Sequence, residues 1–299
     1  MVPPRHFKFN DETGVDNEFQ QEIALSNDEI QRRAMSEFNN MVAKLTAEGI
    51  QIIELNCALD KCKSPDAVFP NNWFSTSFEG EIILYAMATE NRQTEVNVEL
   101  LTSLLLENNF MFNQVHEIGN RSTKQFIEGT GAIIFDHLNN DFYAAVSKRC
   151  DEDLLNKVTK LTHSNQAIAF KTRSTSGAEI YHTNVMLSIG EDFAVVCDDV
   201  IIAADRKRVM DSLKVKKDVI RISEQQMQNF CGNVLQIENK QGHKFIAMSS
   251  SALAAFTTEQ KATLEQHGKI LSFEIPTIET IGGGSVRCML AENFLPQQN

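Results

Sequence analysis

The chain has 299 residues, 42% of them hydrophobic and 23% charged, and its formal net charge is −12. That composition is typical of a soluble globular protein, and the negative charge argues against nucleic acid as a partner. No apolar run reaches the roughly 18–20 residues of a membrane span, and the N-terminus lacks the apolar segment of a secretory signal. We therefore expect a cytoplasmic protein without a nucleic-acid or membrane partner.

Six cysteines are spread along the chain, unlike the dense spacing of a disulfide scaffold. Cys57 and Cys62 form the only close pair, and no second pair of ligands accompanies them at the spacing of a zinc site. The sequence thus predicts reduced thiols and no metal centre.

The first helix signal covers residues 30–47, where apolar side chains recur at helical spacing. Ser26 is a suitable N-cap with Glu29 as its capping-box partner, and Gly49 ends the segment. The apolar run at 50–55 then predicts a strand.

Downstream, the order strand, strand, helix, strand recurs four times. Strand pairs are predicted at 66–75 with 81–87, 126–135 with 141–146, 181–190 with 193–197, and 234–238 with 245–249. Helices at 95–107, 151–162, 204–213 and 258–267 follow, each before a further strand, at 110–118, 166–172, 218–222 and 269–275. A period of roughly 50–60 residues indicates an internal repeat arranged around an axis. We predict one pseudo-symmetric α/β domain over residues 1–299, with the N-terminal segment as part of a fifth unit.

The most distinctive stretch lies near the C-terminus, where three glycines, Gly282, Gly283 and Gly284, precede Cys288. Consecutive glycines let another group approach the backbone closely. The neighbouring Arg287 favours the thiolate, which is the nucleophilic form of cysteine. The pattern is compatible with a catalytic nucleophile, and also with a buried cysteine that follows a loop.

Two residues are candidates for proton transfer. His182 opens a predicted strand after a polar loop that contains glycine, and a histidine there can exchange protons near neutral pH. Glu128 lies in an apolar strand that continues into glycines, and a buried carboxylate needs a cation or a donor beside it. Each has a simpler alternative: a hydrogen-bonded structural histidine, and a turn glutamate that faces water.

Asn71 and Asn72 precede the only tryptophan, Trp73, in the second unit. They offer uncharged donors and acceptors, although ordinary turn residues are the alternative. These asparagines, Glu128 and His182 lie near the start of strand pairs in different units. In a rotational array such positions converge on the axis, so the repeat predicts one shared site.

Six motifs resemble the amidinotransferase and arginine deiminase superfamily, the guanidine-modifying enzymes of the pentein fold. They are F-N-D-E-T with N-x-F-Q at 9–20, P-D-A-V-F-P-N-N-W-F-S at 65–75, N-R-x-x-E at 91–95, E-G-T-G at 128–131, Y-H-T-N-V-M at 181–186 and G-G-G-S-V-R-C-M-L-A-E at 282–292. They span most of the chain in the expected order. Within the superfamily, the chain is similar to the branch of citrulline-utilisation hydrolases.

The resemblance implies an α/β fold, a five-bladed propeller of ββαβ units. It implies that Cys288 is the nucleophile, His182 the general acid and base, and Glu128 the carboxylate that orients histidine or substrate. Arg92, in the R-x-x-E pattern, would hold a substrate carboxylate through a bidentate pair. The implied chemistry needs no metal or organic cofactor.

Departures from the family pattern bear on the substrate. Arginine deiminases carry aspartate where this chain has Asn72 and Asn184, and E-G-G-D where it has E-G-T-G. A buried charge without its partner costs roughly 3–5 kcal/mol, so a pocket of amides disfavours the guanidinium of arginine unless Glu128 supplies the missing charge. The asparagines suit a neutral ureido group instead, as in citrulline.

The sequence therefore predicts a hydrolase that breaks a guanidino or ureido C–N bond of arginine, citrulline or a related derivative through a covalent cysteine intermediate. Its predicted substrate-binding residues are Asn71, Asn72, Asn184, Arg92 and Arg287. Two alternatives remain open: an amidinotransferase that passes the amidino group to an amine, and a non-catalytic propeller that binds a partner. A homodimer also remains open.

Overall fold

The computed structural model describes residues 1–56 and 63–298, so the close pair Cys57 and Cys62 lies outside the described residues. Within those two ranges, twelve strands form four separate three-stranded sheets, accompanied by ten α-helices. None of these helices combines the length and the apolar character needed to cross a membrane.

The strands are β1 (Phe74–Thr76), β2 (Glu81–Tyr85), β3 (Gln114–Ile118), β4 (Ile133–Asp136), β5 (Asp141–Ala145), β6 (Gln166–Phe170), β7 (Leu187–Ile189), β8 (Phe193–Val196), β9 (Asp218–Arg221), β10 (Leu235–Glu238), β11 (Lys244–Ser249) and β12 (Lys269–Phe273). The helices are α1 (Asn27–Ala47), α2 (Glu90–Gln93), α3 (Val98–Glu107), α4 (Gly129–Ala132), α5 (Leu155–Leu161), α6 (Ala203–Leu213), α7 (Glu224–Gln228), α8 (Ser250–Ala255), α9 (Thr258–His267) and α10 (Pro276–Gly282). The predicted order of two strands, helix and strand is therefore confirmed four times.

Each sheet has the same topology. In the first, β1 is antiparallel to β2, with Phe74 opposite Leu84, and β2 runs parallel to β3, with Glu81 opposite Gln114. A parallel partner requires a crossover connection, which a helix provides in every unit. The shared topology places the segment before each first strand at a corresponding position in its unit.

The first strand of three units is shorter than the sequence predicts, because a turn precedes it. Within 66–75, Pro70–Asn72 form a 3₁₀ turn, and the fixed backbone angle of its leading proline suits that position. Thr183–Val185 form a similar turn within 181–190, and α4 interrupts 126–135. The strand prediction was wrong for these parts, which are the parts that carry the candidate site residues.

The N-terminal helix is confirmed as α1, and Oγ of Ser26 accepts a hydrogen bond from the backbone N–H of Glu29 at 3.3 Å. The predicted capping box is wrong, because the carboxylate of Glu29 pairs with Arg32 and Arg33 instead. The strand predicted at 50–55 is also not formed. Its backbone bonds to the first residue of the chain rather than to a sheet.

A buried apolar cluster joins the two ends of the chain. It includes Phe38 and Met41 of α1, Leu271 of β12, Ile278 of α10, and Cys288. The α1 residues in it recur at helical spacing, as expected for the buried face of an amphipathic helix. The cluster therefore holds the segment that carries Cys288 against the N-terminal helix.

Candidate active site

Short turns at corresponding positions of the units bring the predicted site residues together. Asn72 ends the turn near β1, Glu128 directly precedes α4, and His182 directly precedes the turn near β7. Cys288 lies in a further 3₁₀ turn, Val286–Met289. Asn72, His182 and Cys288 line one narrow cavity with about 10 Å³ of free volume. Residues that are far apart in the sequence thus share one site, as the repeat predicts.

Cys288 is buried, with 3% of its surface exposed. Its sulfur accepts hydrogen bonds from Nδ2 of Asn184 and from Nδ2 of Asn233, each at 3.2 Å. Across the described ranges, no hydrogen bond joins the sulfur to His182, although both residues line the same cavity. The candidate nucleophile is therefore held by two amides and not by the candidate base.

His182 and Glu128 form a buried pair, with Nε2 of the imidazole 2.8 Å from Oε2 of the carboxylate. Oε1 of Glu128 accepts a hydrogen bond from the backbone N–H of Ala88 at 2.9 Å. Nη1 of Arg149 lies 3.4 Å from Oε2. The buried carboxylate thus has three donors, and its bond to His182 fixes the orientation of the ring.

The protonation of this pair follows from burial and neighbouring charges. Burial raises the pKa of Glu128, but Arg149, His182 and Arg92 together outweigh it, so the pKa lies below its ordinary value. Burial and the positive charges of Arg149 and Arg92 together lower the pKa of His182 by more than Glu128 raises it. The resting state near neutral pH is therefore a neutral imidazole beside an ionised carboxylate.

Arg92 lines the cavity but has partners of its own. Its Nε and Nη2 bond the two carboxylate oxygens of Glu95 at 2.9 and 3.0 Å, and its Nη1 donates to Oδ1 of Asn72 at 2.8 Å. Asn72 in turn donates to Oδ1 of Asn71 at 3.1 Å. The amide of Asn72 is therefore engaged at both ends, whereas Nδ2 of Asn71 is buried without a partner among the described residues.

Asp66 is a site residue that the sequence analysis did not single out. It lines the cavity, and its Oδ2 accepts hydrogen bonds from Asn10 and Thr13, both at 2.8 Å. Its Oδ1 has no partner in the described part of the chain, and burial raises the pKa of the carboxyl. Asp66 stands inside the motif at 65–75, so the sequence carries a signal for it beside the two asparagines.

Arg149 is a second residue that sequence reasoning missed. It is buried, pairs with Asp16 as well as Glu128, and lies 5.4 Å from the ring centroid of Tyr181. It also lines the cavity. No motif contains Arg149, and its role depends on contacts between distant segments, so a single sequence carries no signal for it.

The three glycines pack their backbone against the wall of the cavity. A Cβ atom on Gly282 or Gly284 would approach the ring of Phe69 to 2.8 or 2.9 Å. Gly283 has a φ of 62°, in the left-handed region that favours glycine, and its carbonyl accepts a hydrogen bond from Tyr181 at 2.9 Å. The close approach predicted for this stretch is therefore confirmed.

Arg287 lies on another side of the Cys288 backbone. Its Nη1 donates to the carbonyl of Thr130 at 2.9 Å, and its side chain lines a second cavity of about 610 Å³ together with His137 and Glu292. The residues that line the cavity with Cys288 and His182 do not include Arg287. Its substrate-binding role therefore stays a prediction without a contact in that cavity.

Together these groups supply a sulfur nucleophile, an imidazole oriented by a carboxylate, and several amide and guanidinium donors. In the ranges that the structure describes, no three His, Cys, Asp or Glu side chains are arranged to hold a metal ion. The set suits attack of a thiolate on a polar trigonal carbon, with proton transfer by the imidazole.

The family model of N,N-dimethylarginine dimethylhydrolase, eukaryotic, matches residues 3–295. The chain therefore belongs to this family. The match confirms the superfamily predicted from the motifs and agrees with the predicted class of hydrolase. The comparison with curated protein sequences gives no match.

Solved structures show the same fold. The N-terminal domain of ArgZ, covalently bound to a reaction intermediate, matches with a TM-score of 0.75 and 19% identity, over 99% of this chain and 98% of that domain. Apo ArgZ, a cyanobacterial arginine dihydrolase, matches with a TM-score of 0.75 and 18% identity, over 97% of this chain and 39% of its own. This chain thus spans about two fifths of that enzyme. A dimethylarginine dimethylaminohydrolase variant with an S-methyl-L-thiocitrulline adduct matches with a TM-score of 0.63 and 13% identity, over 87% of this chain and 88% of its own.

Proposed function

We propose that the protein hydrolyses a C–N bond in the guanidino or ureido group of a free, arginine-like amino acid. The observation that carries this proposal is a single cavity lined by the amide-held sulfur of Cys288 and the oriented imidazole of His182. The proposal agrees with membership of the dimethylarginine dimethylhydrolase family.

In the proposed reaction, the Cys288 thiolate attacks the trigonal carbon, and a C–S bond forms. His182, which holds the proton lost by the thiol, gives it to the leaving nitrogen, and the C–N bond breaks. Water then loses a proton to His182 and attacks the same carbon, after which the C–S bond breaks. Glu128 stabilises the imidazolium that forms in each half of the cycle.

The charges around the cavity suit a zwitterionic amino acid. Arg92 and Arg149 line it as guanidinium groups, and Asp66 lines it as a carboxyl group with one oxygen that no described residue bonds. The carboxylate and ammonium of a substrate would meet opposite charges there. Because a free volume of roughly 10 Å³ holds about one water molecule, the lining residues must move apart when an amino acid binds.

Asn184 bears on which amino acid reacts fastest. Its Nδ2 bonds the sulfur, while its Oδ1 is buried and has no partner among the described residues. An amide oxygen accepts an N–H from a ureido group as readily as from a guanidino group, and it lacks the negative charge that would favour the guanidinium. We therefore expect citrulline to be converted to ornithine faster than arginine is converted to citrulline.

The test is a parallel incubation with L-arginine, L-citrulline and N,N-dimethylarginine. Mass spectrometry identifies the amino-acid products, and released ammonia or dimethylamine gives the rates. We expect ornithine from citrulline at the highest rate, and no product with the Cys288→Ala variant. Faster reaction of arginine would overturn the argument from Asn184. No product from any of the three would overturn the hydrolase proposal, and product only with an added amine acceptor would indicate amidino transfer.

We also propose that residues 1–299 form a single domain of five ββαβ blades. Four sheets of equal topology and the cluster that joins α1 to the C-terminal segment support this arrangement. Segments from both ends of the chain would supply the fifth blade. A homodimer is a further proposal, which light scattering of the purified protein would test.

A further inference from the structure

The sulfur of Cys288 has two amide neighbours, and only Asn184 belongs to a motif found in the sequence. The other is Asn233, which is fully buried, with Nδ2 at 3.2 Å from the sulfur. We propose that Asn233 is a catalytic residue that stabilises the Cys288 thiolate through this N–H···S hydrogen bond. The proposal deepens the proposed hydrolytic function and rests on it.

A second hydrogen bond fixes which end of the Asn233 amide faces the sulfur. Nδ2 of Asn233 also donates to the backbone carbonyl of Asn184 at 2.9 Å. If the amide were turned over, its oxygen would face that carbonyl, and two acceptors would meet. The nitrogen therefore points toward Cys288, and its two hydrogens serve one acceptor each. Oδ1 lies farther from the sulfur, at 3.6 Å, and accepts a hydrogen bond from the thiol form of Cys288 at that longer distance.

The backbone around Asn233 is shaped to bring it close to Asn184. Phe230 has a φ of 60°, which is uncommon for a residue other than glycine. Gly232 packs directly on the neighbouring turn, so that a Cβ atom there would lie 2.9 Å from Cα of Met186. A side chain at Gly232 would push the two segments apart. The close approach of the two backbones places both amides on one sulfur.

Asn233 also occupies the position that the repeat assigns to the other site residues. Asn72 lies just before β1, Glu128 before α4 and β4, Asn184 before β7, and Asn233 just before β10. Each of the four units thus contributes a polar side chain from the segment that leads into its first strand. This correspondence is independent of the distances and agrees with a role in the same site.

The chemistry of sulfur explains why this bond would matter. A hydrogen bond to an ionised acceptor is roughly twice as strong as one between neutral groups. The donated N–H of Asn233 therefore favours the thiolate of Cys288 over the thiol. Since the sulfur is buried, little water is available to replace the lost donor. Removal of Asn233 should shift thiolate formation to higher pH while the nucleophile stays in place.

The experiment measures the alkylation of Cys288 by iodoacetamide as a function of pH, with mass spectrometry of the peptide that contains it. This readout needs no substrate. For Asn233→Ala we expect the pH midpoint of the alkylation rate to rise by about one unit and the alkylation rate at pH 7 to fall about tenfold. For Asn233→Asp, which places a carboxylate near the sulfur, we expect a larger rise. Asn233→Ser is measured alongside, so that one small polar variant remains if the alanine variant does not fold.

Asn229→Ala is the matched control, because this residue lies on the same segment and its side chain bonds the carbonyl of Gln225. It should leave the midpoint unchanged. Folded Asn233 variants with the wild-type midpoint would overturn the proposal, even if turnover falls, because that result indicates a structural role. If the midpoint shifts as expected while the wild type hydrolyses none of the three amino acids, the proposed function fails and the thiolate assignment stands.

Discussion

The sulfur of Cys288 and the imidazole of His182 share a cavity without a hydrogen bond between them in the part of the chain that the structure describes. The sulfur takes its donors from Asn184 and Asn233, and the imidazole takes its partner from Glu128. The two reactive groups are therefore positioned independently. A substrate that binds between them can accept the thiolate at its trigonal carbon from one side, while its leaving nitrogen takes the proton from the other.

Loss of the nucleophile should abolish turnover without loss of the fold. For Cys288→Ala we expect kcat to fall by at least about 10⁴-fold, because the covalent route is removed. Labelling by a haloacetamidine at this position should vanish as well. The matched control is Cys197→Ala, since Cys197 is a buried thiol whose pKa burial raises to about 12. It should keep wild-type kcat, and substantial turnover by Cys288→Ala would contradict the assignment.

The pH dependence of kcat/KM should report on His182. Burial lowers the pKa of this residue below 6.5, so protonation should reduce the rate only at more acidic pH. Glu128→Gln removes the carboxylate that raises this pKa. The acidic side of the profile of kcat/KM against pH, the acid limb, should then move further toward low pH. The variant should also lose about 10²–10⁴-fold in rate. Profiles from pH 4.5 to 9 test this, and a limb that moves toward higher pH in the variant would contradict it.

Among the elements, the turns before the first strands determine the site. The α4 segment packs against two of them: a Cβ atom on Gly131 would lie 2.9 Å from Nδ1 of His182 and would also clash with Nδ2 of Asn72. The small residue therefore allows the turn after Glu128 to contact both neighbouring units. This explains why glycine follows the candidate carboxylate in the sequence.

Gly131→Ala should consequently damage activity more than stability. We expect kcat/KM to fall by about 10²-fold, because a displacement of roughly 1 Å in a catalytic group has an effect of this size. Gly242→Ala is the comparison, because its Cβ atom meets nothing within 4 Å while its φ of 79° makes alanine strained. That variant should lose about 1 kcal/mol of stability and keep its rate. Equal kinetics for both variants would contradict the packing argument.

The sequence predicted the repeated elements well because their signal is local. Apolar periodicity marked the helices α1 and α3, whose predicted and observed starts differ by about three residues and whose predicted ends match. The turns at Pro70–Asn72 and Thr183–Val185 were assigned to strands. Both turns are buried and stand directly before residues that do form strands, so the sequence pattern runs on through them. Only tertiary contacts distinguish the turn from the strand.

At the scale of the whole molecule, buried charges from several units meet near the cavity. Arg92 pairs with Glu95, and Arg149 pairs with Glu128 and Asp16. The sequence indicated Arg92 and Glu128 because motifs contain them. Arg149 could not be found that way, since its contacts join segments that are far apart in the chain. The repeat could have indicated Asn233, through the position before β10.

The buried carboxyl groups of Glu128 and Asp66 should affect the free energy of unfolding with opposite dependence on pH. The pKa of Glu128 lies below its ordinary value of 4.5, so its ionised form stabilises the folded state above that pH, and the stabilisation is lost as pH falls. Burial raises the pKa of Asp66 above 3.8, so its contribution is greatest at low pH and is lost as pH rises through the raised pKa.

Urea unfolding of Glu128→Gln and Asp66→Asn at pH 4, 5.5 and 7 tests this difference. Relative to wild type, Glu128→Gln should lose roughly 3 kcal/mol at pH 7, the low end of the cost of breaking a buried pair, because Arg149 keeps Asp16 as a second partner, and the loss should shrink toward pH 4. Asp66→Asn should become more stable relative to wild type as pH rises, since the amide cannot ionise. Parallel pH trends in the two variants would contradict the opposite shifts, and would mean that Arg149, His182 and Arg92 do not outweigh the burial of Glu128.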